Sequence, residues 1–343
     1  MKILLVRNDN IGDLINTTLA ITALRKYYPS AQIDILVNTE NQIAIFNNPN
    51  VDQIYIYQKS KHVKKISKKI SSVFHKLFLI HQIKKNRYDW AILFRFDLSK
   101  SSLTWMRAKK TIGTNPVFTH PILPHQDFDK NLHEVLFCFE LLKPLGITYA
   151  QFSQDYPYEK TNFYLPESLK KLGALYQNSL GIHLSTRLIK NSYPERQFLN
   201  LIQAIHQEFP SLLIILTAAP GDFLMAENLA KTPGVRFIKT SSFLEAAAVF
   251  SNCQLVLTLD GGMAHVCPAL GVKTLCLMDH SKISRWYPWG MQDLVLSHPS
   301  GPVELVPPSL IFSQIKSEIK SEIKYKKSPQ NPAIKHPIEA PAL

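Results

Sequence analysis

The chain has 343 residues, of which 45% are hydrophobic and 19% are charged, and its net charge is +13. This composition excludes a chain that is disordered throughout, and the length predicts two domains with sizeable cores. No apolar run is long enough to cross a bilayer, and the apolar start before Arg7 and Asp9 is too short for a signal peptide. Four scattered cysteines without metal-ligand spacing favour a reduced, cytoplasmic protein.

Strands and helices are predicted to alternate through residues 1–150. Apolar runs indicate strands over residues 2–7, 31–38, 53–57, 90–96 and 110–113. Helical spacing indicates helices over residues 14–28, 39–46 and 131–145. This alternation predicts a first domain built on a parallel sheet with helices on both faces.

The positive charge is concentrated between Lys59 and Arg87, where nine lysines and one arginine occur without an acidic residue. Apolar residues from Ile66 to Phe78 recur at helical spacing, which predicts a basic amphipathic helix. Its lysines are expected either to form a solvated face or to contact an anionic membrane surface peripherally. No nucleic-acid-binding module accompanies them, so we predict no nucleic-acid partner.

A second alternating series follows a predicted linker over residues 151–178. The second domain is predicted to span residues 179–312, with strands over 180–184, 212–217, 235–238, 255–259 and 273–277. Helices are predicted between these strands over residues 195–209, 222–230, 243–251 and 262–270. A terminal helix over 313–326, continuous with an isoleucine stripe from Ile311, and a disordered tail over 327–343 complete the chain.

The turn Asp260-Gly261-Gly262 lies between a predicted strand and a predicted helix. The first amides of such a helix lie beside the positive end of its dipole, and glycines let an anion approach the backbone closely. Met263 opens the helix and His265 lies one turn into it. The turn is therefore interpreted either as a phosphate site or as an ordinary glycine-rich connection. His265 is interpreted either as a packed side chain or as a group that reaches the phosphates.

Other strand ends carry further candidate residues. Asp13 follows the first strand and fits either a helix cap or a general base. Asp222 fits either a cap or a partner of ribose hydroxyls. The turn after residues 180–184 offers hydroxyls and cations for a diphosphate, among them Ser185, Thr186 and Lys190. The first turn contains no GxGxxG, which disfavours an ordinary dinucleotide site.

Three stretches resemble glycosyltransferase family 9, the lipopolysaccharide heptosyltransferase group. They are MKILLVRNDNIGDLINTTLAITALRKYYP (1–29), GIHLSTRLIKNSYPERQF (181–198) and LDGGMAHVCPALGVKTLCLMDHSKISRWYPWG (259–290). The resemblance implies an α/β protein of GT-B architecture, with two Rossmann-like, doubly wound domains facing across a cleft. It also implies inverting transfer of heptose from a nucleotide-sugar, usually ADP-heptose, to a lipopolysaccharide core, without a metal or another cofactor.

The resemblance also assigns roles to residues. Asp13 matches the family's proposed general base, and residues 260–263 with His265 match its donor-diphosphate loop. Asp222 falls where the family has an acidic residue near the ribose. Two departures are evident: Gly261 replaces the family's usual threonine, and the phosphate-binding lysine falls nearest to Lys190 but one place out of register.

Three alternative functions remain open from the sequence. A metal-dependent transferase would use Asp127-Phe128-Asp129 as a DxD motif. A non-catalytic protein that binds a nucleotide-sugar or lipopolysaccharide would retain the fold without the chemistry. A nucleic-acid-binding protein would depend on the basic stretch Lys59–Arg87 and would bind with a steep salt dependence.

Overall fold

The computed structural model describes residues 1–57, 77–94, 108–114, 120–121, 132–188 and 192–327. The chain divides into two compact units, Met1–Tyr164 and Leu165–Leu343. The predicted linker, 151–178, contains this division and also contains helical residues, because Tyr149–Asp155 and Glu167–Ala174 are both helices. The predicted disordered tail lies outside the described residues from position 328 onward.

The first unit is a parallel sheet in the order β3-β2-β1-β4-β5-β6. Its strands are β1 (Lys2–Val6), β2 (Gln32–Asn38), β3 (Gln53–Tyr57), β4 (Tyr88–Leu93), β5 (Ala108–Gly113) and β6 (His120–Pro121). Its helices are α1 (Ile11–Tyr27), α2 (77–85), α3 (Glu134–Glu140) and α4 (Tyr149–Asp155). Short 3₁₀ turns occupy Gln42–Ala44 and Lys143–Leu145. The strand order reverses between β1 and β4, as in doubly wound sheets.

Helix α1 is buried along most of its length, with residues 11–24 all shielded from solvent. A helix that is apolar or small on every face must be enclosed, and its hydroxyl groups then need partners. Thr17 donates to the backbone carbonyl of Asp13, and Thr18 donates to that of Ile15 while accepting from the amide of Asn162. The helix that carries Asp13 is therefore a fixed part of the first unit's core.

The second unit repeats this strand order, β12-β11-β10-β7-β8-β9. Its strands are β7 (Leu180–His183), β8 (Ile214–Thr217), β9 (Val235–Phe237), β10 (Leu255–Leu259), β11 (Thr274–Leu277) and β12 (Val295–Leu296). Its helices are α5 (Glu167–Ala174), α6 (Glu195–Glu208), α7 (Phe223–Leu229), α8 (Phe243–Phe250), α9 (Gly262–Ala269), α10 (Ile283–Trp286) and α11 (Pro308–Lys327). Short 3₁₀ turns occupy Pro220–Asp222, His280–Lys282, Gln292–Leu294 and Val303–Leu305.

The isoleucine stripe of α11 closes the core of the second unit. Ile311, Ile315 and Ile319 are 0%, 0% and 4% exposed, and they pack into one cluster with the residues of β7, β8, β10 and α6. Their spacing of four residues places them on one helix face, as the sequence predicted. The terminal helix is therefore an integral layer of the second unit.

The basic amphipathic helix is described only in part. Residues 77–85 are helical, whereas residues 58–76 lie outside the described residues. The buried side chains here are Leu79 and Ile83, while Leu77 and Phe78 are 57% and 60% exposed. Leu77 and Phe78 belong to the apolar residues whose helical spacing predicted the amphipathic helix, yet they do not pack into the core, because Leu79 and Ile83 form the buried face of the described helix. Among the described helices, none has the length and apolar character of a membrane span.

Candidate functional site

Each sheet has one point where the strand order reverses, and loops leave the carboxyl ends of its strands there. Ligands of open α/β sheets bind in the crevice at such a point. In the first unit the reversal lies between β1 and β4, and in the second between β7 and β10. Within each unit, the loops that follow these two strands lie close together and carry that unit's candidate residues.

Arg7 is the centre of the first unit's reversal point. It follows β1 directly and is 1% exposed. Its Nη1 donates to the carbonyl oxygen of Phe94, the residue that follows β4, so it ties the two strand ends together. Its Nε lies 2.9 Å from Asp9 Oδ1, and its Nη2 lies 3.0 Å from Asp13 Oδ1 and 2.8 Å from Glu134 Oε1.

Both carboxylate oxygens of Asp13 accept hydrogen bonds. Oδ1 accepts from Arg7, while Oδ2 accepts from the backbone amide of Asn10 at 3.2 Å and from its side-chain amide at 2.9 Å. The bond from the backbone amide of Asn10 belongs to a capping box at the start of α1. The side chain keeps 11% of its surface exposed. The cap interpretation is therefore confirmed, and the carboxylate also remains in reach of solvent.

Burial in the first unit changes the acid–base character of the groups around Asp13. Desolvation opposes the charged guanidinium of Arg7, yet its carboxylate neighbours hold the pKa of Arg7 well above its usual range. Burial raises the pKa of the Cys138 thiol to about 12, so this group stays neutral near pH 7. Its Sγ lies 3.6 Å from Thr17 Oγ1. The cluster is thus a single cation surrounded by carboxylates.

In the second unit, the turn after β10 carries the predicted phosphate loop. Asp260 is 7% exposed, and its amide continues the sheet by donating to the carbonyl of Leu277. Gly261 is extended, with φ 168°, and α9 begins at Gly262. The first turn of α9 lies at the point where the strand order of the sheet reverses. Backbone amides at the start of a helix in this position are typical of an anion-binding site.

The turn after β7 contacts this loop through a threonine. Thr186 Oγ1 donates to the carbonyl oxygen of Asp260 at 2.6 Å and accepts from the amide of Leu188 at 3.1 Å. Lys282 Nζ lies 3.9 Å from Asp260 Oδ2. The structure therefore assembles three separate loops around Asp260.

Ser185 and Asp222 form a neighbouring contact. Ser185 Oγ donates to Asp222 Oδ2 at 2.5 Å and accepts from the amide of Ala219 at 2.7 Å. Asp222 stands immediately before α7 but makes no side-chain cap hydrogen bond there. The capping alternative for Asp222 is therefore wrong, and its carboxylate instead joins the turns after β7 and β8.

The remaining predicted residues differ in exposure. Met263 and His265 are 2% and 6% exposed and form part of the packed side of α9, which supports the packed interpretation of His265. Lys190 lies outside the described residues, as does the alternative metal motif at residues 127–129. Within the described parts of the chain, no group of three or more His, Cys, Asp or Glu side chains is arranged to hold a metal ion.

Sequence reasoning missed four residues at these two points. Arg7 and Glu134 flank Asp13, Lys282 lies beside Asp260, and His183 ends β7 with its Nδ1 2.8 Å from Thr217 Oγ1. Burial lowers the pKa of His183 to about 4, so the ring is neutral near pH 7. A charged residue directly after an apolar strand was the available signal for Arg7. No local pattern distinguished Glu134 or Lys282.

Comparisons with known proteins show which family the chain resembles. A family model described as glycosyltransferase family 9 (heptosyltransferase) matches residues 77–304. Lipopolysaccharide heptosyltransferase 3 of Escherichia coli is 26% identical over 305 residues, which cover 81% of this chain and 83% of the relative. Lipopolysaccharide heptosyltransferase 1 of Campylobacter coli is 21% identical over 288 residues, which cover 79% and 81%.

Solved structures share the fold. A family 9 glycosyl transferase from Veillonella parvula superposes with a TM-score of 0.77 at 18% identity, covering 93% of this chain and 97% of that one. An E. coli heptosyltransferase solved with ADP gives a TM-score of 0.74 at 17% identity, covering 93% and 100%. The coverage includes both units, and the predicted GT-B fold class is confirmed.

Proposed function

The chain belongs to glycosyltransferase family 9, the heptosyltransferase family, and from this membership we propose that it transfers heptose from ADP-heptose to a lipopolysaccharide core acceptor. The observation that carries the proposal is the set of loops around Asp260, which combines helix amides, a hydroxyl and a cation at a sheet reversal point. A solved relative was crystallised with ADP, which supports an adenine nucleotide as the donor's leaving group.

We assign donor binding to the second unit. The leaving nucleoside diphosphate gains negative charge as the glycosidic bond breaks, and preorganised donors stabilise such charge by about 3 kcal/mol each. The amides of residues 261–263 and the dipole of α9 supply fixed donors. Lys282, and Lys190 from the turn after β7, supply cations. Asp222, held by Ser185, is proposed to accept hydrogen bonds from the ribose hydroxyls.

We assign proton abstraction to Asp13. A sugar hydroxyl becomes a strong nucleophile only as a base removes its proton, and the Asp13 carboxylate, with 11% of its side chain exposed at the start of α1, can do so. Arg7 and Asn10 hold the two carboxylate oxygens in place, so the carboxylate is oriented before the acceptor arrives. Direct attack of the hydroxyl on the anomeric carbon, opposite the leaving diphosphate, inverts its configuration. The charge on the diphosphate is balanced by protein groups, so we propose that no metal takes part.

A transfer assay with Asp13→Asn tests the assignment. Asparagine keeps the shape and one acceptor oxygen but cannot take the proton. We expect turnover to fall by about 10²-fold or more while ADP affinity, measured by calorimetry, stays unchanged. Asp293→Asn, which changes an exposed carboxylate in the second unit, serves as the control. Near-normal turnover of Asp13→Asn would remove this residue from the mechanism.

The same two assays, applied to the wild-type protein, test a second candidate function, that of a non-catalytic binding protein. Gly261 lacks the hydroxyl that family 9 usually places after the aspartate, and this departure favours weakened chemistry. ADP binding by the wild-type protein without transfer to any core acceptor would establish this candidate. Transfer that survives a chelator would in turn exclude the DxD-dependent alternative.

We further propose a cytoplasmic location with peripheral contact between the basic stretch Lys59–Arg87 and an anionic membrane surface. The described end of this stretch includes exposed Leu77 and Phe78 and, further along, exposed Lys85 and Arg87. Exposed apolar side chains next to cations suit an interface of acyl chains and headgroups. Vesicles containing anionic lipid should retain the protein at low salt, and neutral vesicles should not. Equal binding to both would contradict the electrostatic part of this proposal.

A further inference from the structure

Two buried asparagines, Asn38 and Asn41, lie beside the loop that joins β1 to α1. Asn38 is the last residue of β2, Asn41 precedes the 3₁₀ turn Gln42–Ala44, and both are 0% exposed. Asn41 Oδ1 accepts from the backbone amide of Asn38, and Asn38 Oδ1 accepts from that of Asn41, both at 2.9 Å. The two residues therefore form a reciprocal pair, called the asparagine pair below.

The asparagine pair holds the loop after β1 by its backbone carbonyls. Asn38 Nδ2 donates to the carbonyl oxygens of Asn8 at 2.7 Å and of Asp9 at 2.9 Å. Asn41 Nδ2 donates to the carbonyl oxygen of Arg7 at 3.0 Å. Two side chains from the end of β2 thus fix three consecutive carbonyls of the loop.

Asn38 uses its full hydrogen-bonding capacity. A side-chain amide has two N–H donors and an oxygen with two lone pairs. Both donors bind carbonyls of the loop, and the oxygen accepts from the backbone amides of Glu40 at 2.7 Å and of Asn41 at 2.9 Å. Because Asn38 is shielded from water, an aspartate of the same shape, which lacks the two N–H donors, cannot replace both bonds to the loop.

The same loop carries residues that donate to the Asp13 carboxylate. Arg7 Nη2 donates to Asp13 Oδ1 at 3.0 Å, and the side-chain amide of Asn10 donates to Asp13 Oδ2 at 2.9 Å. The positions of these donors depend on the backbone of residues 7–10, which the asparagine pair fixes. Since a displacement of about 1 Å in a catalytic group can lower a rate about 10²-fold, this anchoring matters for transfer.

We propose that the asparagine pair positions the general base: through the backbone of residues 7–10 it orients the Asp13 carboxylate towards the acceptor hydroxyl. The inference rests on the proposed role of Asp13 in proton abstraction. Asn38 and Asn41 are positioning residues, because neither touches the reacting atoms in this scheme. Neither lies within the three stretches that resemble family 9, so the tertiary structure alone associates them with Asp13.

Asn38→Asp tests the inference by its effect on catalysis. The substitution keeps the oxygen that accepts from Glu40 and Asn41, and it removes the two donors that hold Asn8 and Asp9. We expect kcat for transfer to fall about tenfold or more with little change in the KM of the acceptor, because the base is misplaced while binding is kept. ADP affinity should not change, since donor binding is assigned to the second unit.

The side-chain amide of Asn10 measures the same effect without catalysis. This amide bonds to a carboxylate, and its ¹H–¹⁵N NMR signal, assigned with Asn10→Ala, should move in Asn38→Asp as that bond is distorted. A merely structural role of Asn38 would lower stability without moving this signal. Asn48→Asp is the matched control, since Asn48 is 5% exposed in the same unit but bonds to Asn162 and Asn50. It should leave kcat and the Asn10 signal unchanged.

If Asn38→Asp does not fold, Asn41→Asp repeats the test, because it removes a single donor, the one to Arg7. Wild-type kcat or an unmoved Asn10 signal in the folded variant would overturn the inference. Failure of both variants to fold would also overturn it, since the asparagine pair would then serve the fold alone.

Failure of the proposed function has a different signature. In that case the wild-type protein transfers no heptose from ADP-heptose, while the Asn10 signal still measures whether the asparagine pair orients the groups that contact Asp13.

Discussion

The hydroxyl of Thr186 joins the turn after β7 to the proposed phosphate loop, and Thr186→Val removes it while nearly preserving shape. In the wild-type structure this hydroxyl donates to Asp260 O at 2.6 Å and accepts from Leu188 N at 3.1 Å. Asp260 is 7% exposed, so its carbonyl oxygen would lose a partner that water replaces poorly. Leu188 is 41% exposed, so its amide can bond to water instead.

The size of the effect follows from this difference. An unsatisfied buried carbonyl costs about 1–3 kcal/mol, whereas the exposed amide costs almost nothing. We therefore expect the free energy of unfolding of Thr186→Val to fall by about 1–2 kcal/mol. If ADP binding must supply about 1 kcal/mol to order the loop that the hydroxyl no longer holds, ADP affinity falls about fivefold.

Denaturant unfolding and calorimetry with ADP measure the two quantities separately. Thr186→Ser keeps the hydroxyl and should remain close to wild type in both. A Thr186→Val protein with wild-type ADP affinity but reduced stability would show that the hydroxyl supports the fold without preorganising the loop. Wild-type values for both quantities would refute the reasoning altogether.

Four further predictions concern charge and backbone. Lys282→Gln should weaken ADP binding about three- to tenfold at low salt and less at high salt. Lys273→Gln breaks an ion pair with α11 and serves as the control, because it should leave ADP binding unchanged. Equal effects of the two substitutions would exclude a specific role of Lys282 in ADP binding. Burial raises the pKa of Asp34, so the folded state binds the Asp34 proton more tightly than the unfolded state does. The stability that Asp34 contributes should therefore be lost as pH rises through the pKa of the folded state. Thermal melts from about pH 4 to about pH 7 measure this loss, which Asp34→Asn should not show. Gly261→Ala should raise the free energy of unfolding by about 0.5–1 kcal/mol, since the residue is extended and an added Cβ meets nothing closer than 3.9 Å. Gly173→Ala should lower the free energy of unfolding by about 1–3 kcal/mol, since its Cβ would lie 2.6 Å from a backbone oxygen of α8. Denaturant unfolding curves of the two glycine variants measure both changes.

The agreement between sequence and structure is best where a pattern is local. The strand Leu255–Leu259 and the strand Gln53–Tyr57 were predicted with their observed bounds, because an apolar run ended by glycine or polar residues carries all the information needed. Helices such as Glu195–Glu208 were predicted to within one residue by their periodicity. Short elements were missed, among them Ile283–Trp286 and Val295–Leu296, because they contain too few residues to show a period.

What the sequence determined by itself was the α/β class, the family and the strand–helix junctions that carry Asp13, Asp222 and Asp260. The structure places Asp13 within the first turn of α1 and not in the turn before it. Contiguous motifs and periodicity are local properties, so they can be read along the chain. The tertiary structure decided which side chains meet: Arg7 with Glu134 across 127 positions, and Thr186 with Asp260 across 74. These contacts depend on strand order at the sheet edge, where loops distant in sequence become neighbours, and no local pattern of residues encodes that proximity.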